Sequence, residues 1–198
     1  MSGINRAGND IVSFDDLIIS SLRSLYSRTE KPLNIVAITD GASTIRCRLL
    51  NIFQAQIIHI LDWYHLEKKV GEYLSMLHFI KSDKEKHFSF ITNKLWYGNV
   101  SDAISYLNKL STDNLTKLSE LIGYLEKHRS EIINYDKRQS NNKPIGSGRM
   151  EKAVDDVIGR RQKKKGMSWH KIGSKSLGLL KVIELNGLWN KLWEDKVA

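Results

Sequence analysis

Two stretches, Asn34-Ile35-Val36-Ala37-Ile38-Thr39-Asp40-Gly41 and Gln56-Ile57-Ile58-His59-Ile60-Leu61-Asp62, decide how this chain is built. Each is a short, β-branched apolar run closed by an aspartate, the signature of a buried strand. Between them, residues 43–53 fit a single helix. Two strands joined by one crossover helix pair in parallel. Chemistry in open α/β sheets gathers at the carboxyl ends of the strands. Asp40 and Asp62 both stand there and are the first candidate site residues.

Upstream, Leu17, Ile18, Leu22 and Leu25 recur at helical spacing behind Ser13, which predicts a helix over residues 14–26 with a serine cap. Residues 28–32 break that pattern. Downstream of Asp62 the strand signal stops, and helices are predicted over 63–80, 84–96, 101–110 and 112–136. The stripe Leu115, Leu118, Leu121, Ile122 and Leu125 reads as the core of a helical block. A polar loop over 138–148 precedes a helix at 150–164, and a last helical stretch covers 172–193 with a break at Asn186-Gly187. The expected organisation is a partial α/β segment (1–65), an all-helical insertion (66–143) and C-terminal helices (144–198), helix-rich throughout.

The 198 residues carry a net charge of +9, which points to a polyanionic partner. The single cysteine, Cys47, excludes a disulfide framework or a cysteine zinc site and is expected to pack inside its helix. No apolar stretch nears the ~20 residues that span a bilayer, and residues 1–10 have no signal-peptide pattern. A cytoplasmic, nucleoid-associated protein without a membrane partner is expected.

A third carboxylate, Glu151, follows Gly146-Ser147-Gly148-Arg149 at the start of a helix. Carboxylates converging from separate elements ionise together only with a counter-cation, and an oxygen-only ligand set suits Mg²⁺ or Mn²⁺. Each residue also has a plainer reading. Asp40-Gly41 is a common turn, and Glu151 suits a helix dipole. Asp62 and His65 fit a local hydrogen bond as well as a site. The run Arg160, Arg161, Lys163, Lys164 and Lys165 fits a solvated face as well as phosphate contact. Trp96 fits a core as well as a stacking platform for a base.

Asp40-Gly41-Ala42, Asp62-Trp63-Tyr64-His65 and Ile145-Gly146-Ser147-Gly148-Arg149-Met150-Glu151-Lys152-Ala153, in this order, resemble the motifs of DDE transposases. With Arg160-Arg161-Gln162, Gly166-Met167-Ser168-Trp169 and Leu185-Asn186-Gly187-Leu188-Trp189, the likeness is to the Kra-type group of bacterial insertion sequences in the Mutator-like superfamily, over residues 35–193. The resemblance implies a ribonuclease H-like catalytic fold interrupted by an all-helical insertion, here partial. It implies metal-dependent DNA strand cleavage and transfer, with Asp40 as the second and Glu151 as the third ligand of a two-metal site. Asp62 and His65 would support that site. Trp96, Arg149, Arg160, Arg161, Lys163, Lys164 and Lys165 would contact DNA, the element's terminal repeats and its target. No aspartate-bearing strand precedes Asp40, since Asp10, Asp15 and Asp16 fall in a polar start or a helix start. A truncated or split transposase is therefore expected, inactive alone, with the missing N-terminal part, a full-length transposase or a second copy as protein partner. The alternative is a non-catalytic DNA-binding or partner-binding remnant.

Overall fold

The computed structural model describes residues 13–26, 34–54, 57–164 and 166–194. The element order is α1 (Phe14–Tyr26), β1 (Ile35–Thr39), α2 (Ser43–Phe53), β2 (Ile57–Leu61), α3 (Trp63–Ser75), α4 (Lys81–Trp96), α5 (Val100–Leu107), α6 (Leu115–Lys127), α7 (Tyr135–Ser140), α8 (Gly148–Val154), a π-type turn (Asp155–Gly159), α9 (Arg160–Gln162), α10 (Lys171–Leu185) and α11 (Trp189–Glu194). This is a helix-dominated α/β arrangement with one small parallel sheet. Two compact units divide it, residues 30–147 and the terminal stretches 1–29 with 148–198. Within the 30–147 unit the strand pair and the helical block share one core.

Within the 30–147 unit, β1 and β2 pair in parallel with Ile35 opposite Ile57 and Thr39 opposite Leu61. The main-chain N–H of Asp62 donates to the Thr39 carbonyl at 2.7 Å. Thr39 and its alternate neighbours Ala37 and Ile35 are thus the residues bonded into β2, and Val36 and Ile38 direct their N–H and C=O groups to the opposite edge. Among the described residues no strand pairs with that edge.

The core follows from helical periodicity. Leu66, Val70 and Leu74 from α3, Ile91 and Leu95 from α4, Ala103 and Leu107 from α5, and Leu121 and Leu125 from α6 are fully buried together with Leu61. Each buried Leu or Ile contributes roughly 1.5–3 kcal/mol over its exposed state. The α6 stripe is core as expected, with Leu115 left exposed at its start.

Three expectations change. The helix expected over 112–136 is two helices, because residues 128–134 leave the helix to meet β2, where the Glu131 carbonyl accepts from Leu61 N–H at 3.0 Å. The helix expected over 150–164 contains the π-type turn at Asp155–Gly159, which adds a residue to one turn and rotates every later side chain. Cys47 is exposed, because α2 buries none of its residues.

In the second unit, Ser13 caps α1 by accepting from Asp16 N–H at 3.1 Å. No residue described in α8, the π-type turn, α9, α10 or α11 is buried. Among the described residues no helix is long and apolar enough to cross a membrane.

Candidate active site at the strand ends

Asp62 is the most constrained polar residue of the 30–147 unit, with 1% of its surface exposed. It ends β2 and caps α3, its Oδ1 accepting from the N–H groups of Tyr64 at 2.8 Å and His65 at 3.2 Å. Its Oδ2 accepts from the N–H of Ser147 at 2.6 Å and from Ser147 Oγ at 2.5 Å. Burial alone would raise this carboxyl's pKa. The side-chain and main-chain bonds from Ser147, then those from His65 and Tyr64, outweigh burial and hold it below the ordinary value. The sequence thus joins its second and third motifs directly, across 85 residues. A side chain at Gly146 would meet the Tyr64 ring at 2.6 Å, so only glycine lets this loop lie against the start of α3. His65 Nδ1 is 3.5 Å from Asp62 Oδ2, too long for a good hydrogen bond, and is otherwise without a polar partner.

Asp40 ends β1 one strand away, at the ~4.8 Å spacing of paired strands, and its surroundings differ. It is exposed, and Oδ1 accepts from Ala42 N–H at 2.9 Å. Gly41 takes φ +84, and a Cβ there would meet His128 Cε1 at 2.8 Å and Leu61 Cδ1 at 2.9 Å. The Asp40 turn therefore packs directly on His128. That imidazole is buried, with Nδ1 2.7 Å from Glu131 Oε2. Arg46 Nη1 from α2 lies 2.7 Å from Glu131 Oε1, an ion-pair contact without hydrogen-bond alignment. The Tyr124 ring packs on His128 with centroids 4.8 Å apart, and burial, then the charges of Glu131 and Asp40, push its phenol up to about 12.

Sequence reading missed this Arg46–Glu131–His128 group. Its only signal was a His and a Glu three residues apart where the α6 stripe ends.

The other expected residues divide between the two units. Trp96 belongs to an aromatic cluster, edge-on to Trp63 at 4.8 Å and stacked on Tyr135 at 6.2 Å, with its N–H donated to Asp136 Oδ1 at 3.2 Å. It is half-buried there. Arg149 and Glu151 are exposed in the first turn of α8, in the second unit. Arg160, Arg161, Lys163 and Lys164 are exposed in that unit too, and Lys165 lies outside the described residues. Arg160 pairs with Asp156 at 3.2 Å and Asp155 at 3.4 Å.

Asp62 does not fit a metal ligand, because both of its oxygens are taken by donors. Asp40 Oδ2 has no such donor among the described residues. No group of three or more His, Cys, Asp or Glu close enough to hold a metal ion occurs among the described residues. No protein-family model, curated protein or solved structure matches the chain.

Proposed function

We propose that this chain is the C-terminal portion of a DDE transposase, a partial ribonuclease H-like fold with a helical insertion that cleaves and transfers DNA strands with Mg²⁺ or Mn²⁺. The observation that carries the reading is the bond from Ser147 to Asp62. It ties the loop leading to Glu151 to the end of β2, beside the strand that carries Asp40. A net charge of +9 supports DNA as the partner. The edge of β1 that pairs with no described strand suits a further strand supplied from outside the described residues. In this reading Asp40 and Glu151 are metal ligands completed by a carboxylate from that segment. Asp62 is a positioning residue that fixes the start of α3 and the Ser147 loop.

A second reading, a non-catalytic DNA-binding or partner-binding remnant, is favoured by the saturation of Asp62, which leaves Asp40, among the described residues, as the one strand-end carboxylate with an oxygen to spare. The test is Mn²⁺-dependent cleavage of DNA carrying the element's ends by the wild-type chain, Asp40→Ala and Glu151→Ala. Cleavage abolished in both variants supports the transposase and removes the need for an outside carboxylate. Salt-sensitive DNA binding without cleavage by any of the three supports a transposase portion that is inactive without the outside carboxylate, or a DNA-binding remnant. Absence of DNA binding overturns the transposase reading and a DNA-binding remnant, and leaves only a partner-binding one.

A further inference from the structure

The second unit holds an open groove of about 970 Å³ between residues 152–164 with Met167 and the helices α10 and α11. Its angle is set by a reciprocal clamp, in which Ser174 Oγ donates to Gln162 Oε1 at 2.5 Å and Gln162 Nε2 donates to the Ser174 carbonyl at 3.0 Å. Two kinds of side chain line it. Val157, Met167, Leu180 and Trp189 give an apolar floor, while Lys152, Arg160, Arg161, Lys164 and Lys181 give cations. Asp156 and Glu184 are its acidic members and are used locally, Asp156 by Arg160 at 3.2 Å and Glu184 by Lys181 at 2.9 Å. Lys152, Arg161 and Lys164 have no ion-pair partner among the described residues. Trp189 is 42% exposed and sits edge-on to Trp193 at 5.9 Å.

Charge and floor together narrow the ligand. Unpaired cations call for an anionic chain such as a phosphate backbone. A duplex satisfies them while keeping its bases stacked inside, so the apolar floor and Trp189 gain nothing from it. Single strands offer phosphates and free base faces at once, the combination that cationic grooves with aromatic side chains recognise. We infer that this groove is a binding site for single-stranded DNA, with Arg161 and Lys164 on phosphates and Trp189 against a base. The inference rests on the DNA-binding reading above and specifies the form of DNA.

The test measures binding of the full chain to three fluorescently labelled 20-mers: oligo-dT, an abasic strand of equal charge and a duplex. Oligo-dT is expected to bind at least tenfold tighter than either of the others at 150 mM salt. Trp189→Ala should erase that preference while the abasic strand binds as before, and Trp189→Phe should restore most of it. Arg161→Ala with Lys164→Ala should weaken all three and flatten the salt dependence. Circular dichroism matching the wild type shows that each variant is folded. Equal binding of oligo-dT and the abasic strand overturns the base contact, and a duplex bound as tightly as oligo-dT overturns the single-strand assignment while leaving DNA binding intact. No binding to any of the three overturns this inference and the reading beneath it.

Discussion

Asp62 and Gly41 show how single residues hold the strand ends in place. Four donors converge on the buried Asp62 carboxylate, so Asp62→Asn places an amide N–H against at least one of them. It should lower unfolding free energy by about 2–4 kcal/mol in urea titrations. Ser147→Ala removes only the hydroxyl donor and should cost about 1 kcal/mol. Its folded pKa lies below the ordinary 3.8, so the Asp62 contribution is fully present above about pH 4. It is lost as the pH falls through the folded value. The wild-type advantage over Asp62→Asn should therefore shrink on acidification below pH 4, and an advantage that grew there would refute the assignment of this cap. Gly41→Ala puts a Cβ into the His128 ring at a positive φ. About 1–3 kcal/mol of destabilisation is expected, and a neutral result in the same titration would mean that the turn is not held against His128.

Elements were legible in the sequence to the extent that their periodicity was local. Both strands, α1 and α2 emerge at or within a residue of their expected bounds, since β-branched runs, a serine cap and an apolar repeat act over a few residues. The break between α6 and α7 was not legible, because nothing in residues 112–136 interrupts the helical pattern. Its cause is a tertiary demand, the Leu61 N–H that bonds to the Glu131 carbonyl and the Leu61 carbonyl that accepts from Tyr135 Oη at 2.8 Å. The same distance in sequence hid half of the site. Asp40, Asp62 and the Gly-Ser-Gly loop were found as motifs. His128, Glu131 and Arg46 come together only through the fold, 81 residues of chain separating Arg46 from His128. Glu131→Gln keeps the shape of that group but removes the negative charge that Arg46 and His128 share. A loss of about 3 kcal/mol is expected, and Arg46→Met in the same background should recover part of it. If the two changes are additive in a double-mutant cycle, the ion-pair contact at 2.7 Å does not act in solution.

At the scale of the whole molecule, the two units differ in how they are held together. The 30–147 unit surrounds a continuous core, with Leu66, Val70, Leu95, Leu121 and Tyr135 at 0% exposure. The unit that contains α8 to α11 buries none of the side chains described on those helices, and Met150, Leu185 and Trp193 are about half exposed or more. Helical hydrogen bonds without tertiary burial are marginal in water, because the nucleation cost of a helix is offset mainly by packing of its apolar face. Opening free energy should therefore divide at the 147/148 boundary. In native-state hydrogen exchange, amides of Leu118–Leu125 should approach the global unfolding limit, while those of α10 exchange orders of magnitude faster. Equal protection of α6 and α10 would mean that the second unit is buried against something in solution, a second copy or another chain. Sedimentation of the same sample would then show a species heavier than the monomer.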